Sequence, residues 1–168
     1  MLLHRQVRPK VDEMTPIPFA LRVLVVDDNR DAADSLADLL RLYEADVRVC
    51  YSGAAALELS GAFDFEAGVL DIHMPGMDGC ELAGRLRGAT PNRVLLVALT
   101  GVSDDAARRR TATAGFDLHL TKSSAPELLV AALTGFARWV MEHPAAETLH
   151  AGGTPCATVS PGGMPGAG

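Results

Sequence analysis

Between residues 21 and 141, short apolar, β-branched runs alternate with stretches of helical spacing, five of each in turn. Leu21–Val26 (LRVLVV) is the first apolar run and stops abruptly at Asp27-Asp28. A run of that length with no polar alternation suits a strand buried on both faces of a parallel sheet. Ala33, Leu36, Leu40 and Tyr43 then recur at helical spacing, predicting a helix over about 30–43. Asp46–Cys50 alternates Val47 and Val49 with Asp46 and Arg48, the pattern of a half-exposed strand at a sheet edge. Ser52 is placed to cap a helix over 53–60.

Ala67–Leu70 leads into Asp71 as a third strand, and a loop from His73 to Met77 precedes Asp78 and a helix through Arg87. Arg93–Leu99 is a fourth buried strand closed by Thr100-Gly101, followed by a helix capped by Ser103. Asp117–Thr121 is a fifth strand ending at Lys122, and Ser124-Ala125-Pro126-Glu127 forms a capping box for the last helix. Strict alternation of strand and helix implies right-handed crossovers and a doubly wound α/β sheet.

Proline sets the expected domain limits. Of ten prolines, seven lie before residue 21 or after residue 141. The expected organisation is a flexible extension over 1–20, one domain over 21–141 and a disordered Gly/Pro-rich tail over 142–168. Nothing after residue 141 is patterned as an output domain, so the expectation is a stand-alone module or a piece of a longer kinase. The net charge of −6 disfavours nucleic acid as a partner. Arg108-Arg109-Arg110 is the one basic cluster, either a solvated helix face or a protein contact. Cys50, Cys80 and Cys156 are odd in number and widely spaced, suggesting neither a disulfide framework nor a zinc site. No apolar run reaches membrane-spanning length and no export signal is evident, so a cytoplasmic protein without a membrane partner is expected.

Ligands of open α/β sheets bind beyond the carboxyl ends of the strands. Asp27/Asp28, Asp71, Thr100 and Lys122 all fall at those ends. Three gathered carboxylates need a counter-charge, and a hard divalent cation such as Mg²⁺ supplies one. A cation, a lysine and a hydroxyl together suit phosphoryl transfer, with one aspartate as nucleophile. Taken singly, each residue has a plainer reading: Asp27-Asp28 as a helix cap, Asp71 as a loop acid, Thr100 as a loop hydroxyl and Lys122 as a surface charge. Lys122 is nevertheless one of only two lysines against thirteen arginines, which fits a site needing a compact ammonium.

VVDDN (Val25–Asn29), LDIHMPGMDG (Leu70–Gly79), ALTG (Ala98–Gly101) and the strand-end Lys122 resemble the receiver domain of two-component response regulators. The resemblance implies a flavodoxin-like (βα)5 fold with a five-stranded parallel sheet in the order 2-1-3-4-5. It further implies that Asp71 accepts a phosphoryl group from a histidine kinase or a histidine phosphotransfer protein, in a Mg²⁺-dependent reaction. Asp28, Asp71 and the backbone carbonyl of His73 would ligate Mg²⁺, and Asp27 would act through a metal-bound water. Thr100 and Lys122 would contact the phosphoryl oxygens. The signal would leave through an unknown downstream protein or by onward transfer, and the only catalysis would be self-phosphorylation and self-dephosphorylation.

Two departures matter. Ser123 stands where the family usually has a proline after a cis bond, and His119 stands where many members carry a switching aromatic residue. The alternatives are a diverged receiver that binds partners without phosphorylation, or an aspartyl-phosphate phosphatase, for which His73 occupies the place of the usual second aspartate. Trp139, beside Phe136 in the last helix, either covers the helix edge or anchors a partner.

Overall fold

The computed structural model describes residues 20–89, 94–101, 105–123 and 125–143. The elements are β1 (Arg22–Val26), α1 (Arg30–Arg41), β2 (Asp46–Cys50), α2 (Gly53–Ser60), β3 (Ala67–Asp71), α3 (Gly79–Ala89), β4 (Leu95–Thr100), α4 (Asp105–Ala114), β5 (Leu118–Thr121) and α5 (Ala125–Glu142). All neighbouring strands are parallel, in the order β2-β1-β3-β4-β5. The doubly wound fold and its strand order are as expected. The two ends of the chain and the caps assigned to Ser103 and Ser124 lie outside the described residues.

The burial pattern explains the order. β3 is buried at every position, and β1 and β4 at all but their first. The edge strands β2 and β5 retain exposed or half-exposed positions, Asp46 and Arg48 among them. On one face Val23, Val25, Val69 and Val97 pack with Ala33, Ala37 and Leu40 of α1 and Leu129 and Leu133 of α5. On the other, Leu24, Val26, Leu70 and Leu96 pack with Ala56 of α2 and Leu82, Ala83 and Leu86 of α3. Successive strand side chains point to opposite faces, so an unbroken apolar strand feeds both cores at once. Each fully buried leucine or valine contributes roughly 1.5–3 kcal/mol.

α4 is held differently. Its one buried residue, Thr111, is polar. The Thr111 hydroxyl donates to the carbonyls of Ala107 and Arg108, 3.1 and 3.0 Å away, and lies 3.1 Å from Nδ1 of His119 on β5. At the amino end of the sheet, Arg87 of α3 acts as a clasp. Its Nε donates to the Gly115 carbonyl at 2.9 Å, and its two terminal nitrogens donate to the Val94 carbonyl and the Asp117 carboxylate. That clasp ties α3 to the starts of β4 and β5.

The first helix stops short of its expected end. It closes at Arg41 rather than Tyr43, because the Leu42 N–H turns back onto the last carbonyls and Glu44 takes a left-handed φ of 63°. Among the described residues, no helix is long and apolar enough to cross a membrane.

Candidate functional site

The register of the sheet assembles the site. Val26 pairs with Leu70, so Asp27 and Asp28 leave β1 beside Asp71 at the end of β3. Asp71 in turn pairs with Leu99, and Thr100 pairs with Thr121, which places Lys122 just past the neighbouring strand end. The Lys122 N–H donates to the Thr100 carbonyl at 2.8 Å, joining the last two strands at the rim. All of the strand-end residues singled out in the sequence thus meet at one edge of the sheet.

Carboxylate oxygens of Asp27, Asp28 and Asp71 lie within 4.8 Å of one another. Asp27 and Asp71 are buried and Asp28 is exposed, so the group opens to solvent on one side. Lys122 bridges the buried pair, its Nζ 2.8 Å from Oδ2 of Asp27 and 3.2 Å from Oδ2 of Asp71. Burial pushes the Asp71 carboxyl above the usual carboxylate range and the charge of Asp27 adds to this. Lys122 and the backbone of His73 pull the other way without cancelling it. For Lys122, burial acts to lower the pKa but is outweighed by the hydrogen bond to Asp27 and the charges of both acids, so the ammonium is held more firmly than usual. A single lysine therefore only partly compensates three acids. Hard oxygen donors with a residual negative charge are what a divalent cation binds. The cluster can coordinate such an ion.

Local hydrogen bonds hold the aspartates in different ways. Asp27-Asp28 do not cap the first helix. Asn29 does, its side chain accepting from the Ala32 N–H at 3.1 Å. Asp27 Oδ1 instead accepts from the Asn29 N–H at 2.9 Å, which fixes the carboxylate while leaving Oδ2 to Lys122. Asp78 caps α3 by accepting from the Glu81 N–H at 2.9 Å. The side chain of His73 is exposed. Among the described residues no peptide bond is cis, so Lys122–Ser123 is trans, and Lys122 still reaches both acids. Asp27 and Lys122 also border a cleft of about 230 Å³ between α1 and α5, otherwise lined mainly by apolar side chains such as Ala32, Leu36, Leu39 and Leu99.

The other residues singled out are not among the acidic cluster and its lysine. Arg108, Arg109 and Arg110 are exposed on α4, and Arg110 pairs with Asp78 at 2.6 Å. Trp139 is half-buried and stacks between Phe136 and His143, at 6.0 and 5.1 Å between ring centroids. Sequence reasoning missed Thr111, the partner of His119, and Gly79, which packs against Asp71. Thr111 stands in an unremarkable TATA run, and only the Asp78-Gly79 pair carried any signal, that of a turn into a helix.

A family profile described as the response regulator receiver domain matches residues 23–134. Over 131 residues the chain is 34% identical to the response regulator MprA of Mycobacterium tuberculosis, covering 78% of this chain and 56% of that protein. Over 85 residues it is 41% identical to a response regulator receiver protein of Anaeromyxobacter, covering 51% of this chain and 36% of the relative. The chain therefore spans between about a third and a little over half of the length of these relatives. Among solved structures, the BeF3-activated DrrB receiver domain of Thermotoga maritima superposes with a TM-score of 0.64 at 26% identity, covering 71% of this chain and 98% of that one. The receiver domain of the Francisella response regulator 1452 shares the fold, with a TM-score of 0.66 at 24% identity, over 71% of this chain and 98% of its own. The matching profile runs from β1 into α5 and takes in every residue of the acidic rim, so this chain belongs to the response regulator receiver domain family.

Proposed function

We propose that this chain is a phosphoacceptor switch, with Asp71 accepting a phosphoryl group from the phosphohistidine of a histidine kinase or phosphotransfer protein. The observation that carries this reading is the close group of Asp27, Asp28 and Asp71 with Lys122 bridging two of them. In the transfer, a carboxylate oxygen of Asp71 forms the new bond to phosphorus, the phosphorus–nitrogen bond of the donor breaks, and the departing imidazole takes up a proton. Asp28, Asp71 and the His73 carbonyl would hold Mg²⁺, with Asp27 acting through a bound water, and the ion would offset the charges of the carboxylates and the phosphoryl oxygens. Lys122 is already within reach of Asp71 and would pair with a phosphoryl oxygen there, joined by the Thr100 hydroxyl.

The apolar cleft beside Asp27 and Lys122 supports a helix of the phosphodonor as a docking partner. The receiver unit is taken as residues 21–141. Its signal leaves by binding a downstream protein or by onward transfer, in the cytoplasm, and its catalysis extends only to its own phosphorylation and dephosphorylation. The test is labelling with acetyl phosphate. Wild-type protein becomes labelled only with Mg²⁺ present, and Asp71→Asn is not labelled. Equal labelling of both proteins refutes the assignment.

A further inference from the structure

The loop that follows Asp71 is closed by contacts that only glycine permits. Gly79, the buried first residue of α3, donates its N–H to the Ile72 carbonyl at 3.0 Å, so the chain returns onto the end of β3. A Cβ at position 79 would lie 2.1 Å from the Asp71 carbonyl oxygen, 2.9 Å from the Ile72 Cα and 3.0 Å from the Asp71 carbonyl carbon. Carbon–oxygen contacts settle near 3.3 Å, so a methyl group there would need more than an ångström of room. Every atom in its way is backbone, and none can rotate aside. On the other side of the loop, a Cβ on Gly53, the first residue of α2, would lie 2.9 Å from Sδ and 3.0 Å from both Cβ and Cγ of Met77. Met77 belongs to the same loop; its Cγ and Sδ can rotate aside, whereas its Cβ moves only with the loop backbone.

We propose that Gly79, seconded by Gly53, is a positioning residue for the acidic site. The missing side chains let the loop over residues 72–78 close tightly enough to keep the Asp71 carboxylate and the His73 carbonyl in register with Asp27 and Asp28. The effect on phosphoryl transfer rests on the reading of Asp71 given above, whereas the effect on metal binding rests on the three carboxylates alone.

The test compares Gly79→Ala, Gly53→Ala and the double variant Gly53→Ala/Met77→Gly, which removes all three Met77 atoms in the way, with wild type. Gly84→Ala is the control on the same helix, since a Cβ there meets nothing within 4 Å. Mn²⁺ affinity is read by electron paramagnetic resonance, acetyl phosphate labelling by rate, and integrity by urea unfolding. Gly84→Ala is expected to match wild type in both functional readouts. Gly79→Ala should unfold cooperatively yet bind Mn²⁺ at least tenfold more weakly and label about a hundredfold more slowly, the cost of an ångström's misplacement. Gly53→Ala should lose a few-fold in both, and removing the Met77 side chain should restore them.

Wild-type affinity and rate in Gly79→Ala overturn the proposal. If Gly79→Ala does not fold, the Gly53/Met77 pair decides: recovery in the double variant supports the proposal, and no recovery overturns it. If wild type itself is not labelled while Gly79→Ala loses Mn²⁺ affinity, the acceptor reading fails and the positioning role stands.

Discussion

Asp71→Asn should make the metal-free protein more stable. The carboxylate oxygens of Asp27, Asp28 and Asp71 lie within 4.8 Å of one another, a separation at which each like-charged pair costs about 3.5 kcal/mol at an effective dielectric of 20. Lys122 Nζ stands 3.2 Å from Asp71 and returns about 5 kcal/mol on the same scale, before solvent at its partly exposed ammonium weakens the pair. Even with solvent screening the exposed Asp28, the two repulsions together slightly exceed the attraction, and the cost of burying the Asp71 charge adds to them. The raised pKa of Asp71, caused first by burial and opposed chiefly by Lys122, has the same sign.

The amide keeps the shape and removes the charge, and Lys122 keeps Asp27 as its partner at 2.8 Å. We expect a gain of about 1 kcal/mol, or a few degrees in Tm for a domain of this size. Because the folded pKa of Asp71 exceeds its unfolded value, the penalty is absent in acid and develops as pH rises through that raised value. The advantage of Asp71→Asn should therefore be present at neutral pH and vanish on acidification. Saturating Mg²⁺ should reverse the order, since a ligand at a hundred times its Kd stabilises the wild type by about 2.7 kcal/mol. Thermal melts in EDTA and in MgCl₂, across pH, measure all three effects. A variant no more stable than wild type in EDTA at neutral pH, or a difference that persists in acid, would refute the reasoning.

Further outcomes can be checked with the same protein. Lys122→Met removes the charge that competes with a cation, so Mn²⁺ affinity should rise about fivefold, the equivalent of a 1 kcal/mol ion pair, while acetyl phosphate labelling slows. Lys122 has a raised pKa, so its stabilising contribution is complete below the ordinary lysine range and is lost as pH climbs through the raised value. Urea midpoints of wild type should therefore fall towards those of Lys122→Met in strong alkali. Arg87→Ala should cost about 1–3 kcal/mol in urea unfolding, because the Gly115 and Val94 carbonyls and the Asp117 carboxylate lose a shared donor. Leu24→Ala should cost about 2–5 kcal/mol by opening a cavity under β1, with little effect on Mn²⁺ binding.

Much of the fold was written in local pattern. Strands buried on both faces carry no polar alternation, and Leu21–Val26 has none beyond Arg22, while the half-exposed β2 shows its edge position through Asp46 and Arg48. The rim was equally legible, because a parallel sheet sends every strand's carboxyl end the same way, Asp71 and Thr100 close their strands and Asp27 and Lys122 directly follow theirs. What stayed hidden depends on partners distant in sequence or on backbone geometry. Tyr43 keeps the helical spacing, but the chain turns at Glu44 in a left-handed conformation with neither glycine nor asparagine to announce it. Arg87 reads as a solvated charge on α3, yet its partners come from the starts of β4 and β5. Gly79 reads as a turn residue, and only the folded chain shows the Asp71 carbonyl occupying the space a Cβ would need.

The central claim is that Asp71 becomes an acyl phosphate. Borohydride reduces an aspartyl phosphate to homoserine, so reduction after Mg²⁺-dependent phosphorylation, followed by peptide mass spectrometry, names the residue. The account predicts homoserine at position 71, dependent on Mg²⁺ and absent from unphosphorylated controls. Homoserine at Asp27, Asp28 or elsewhere, with position 71 still aspartate, would contradict it.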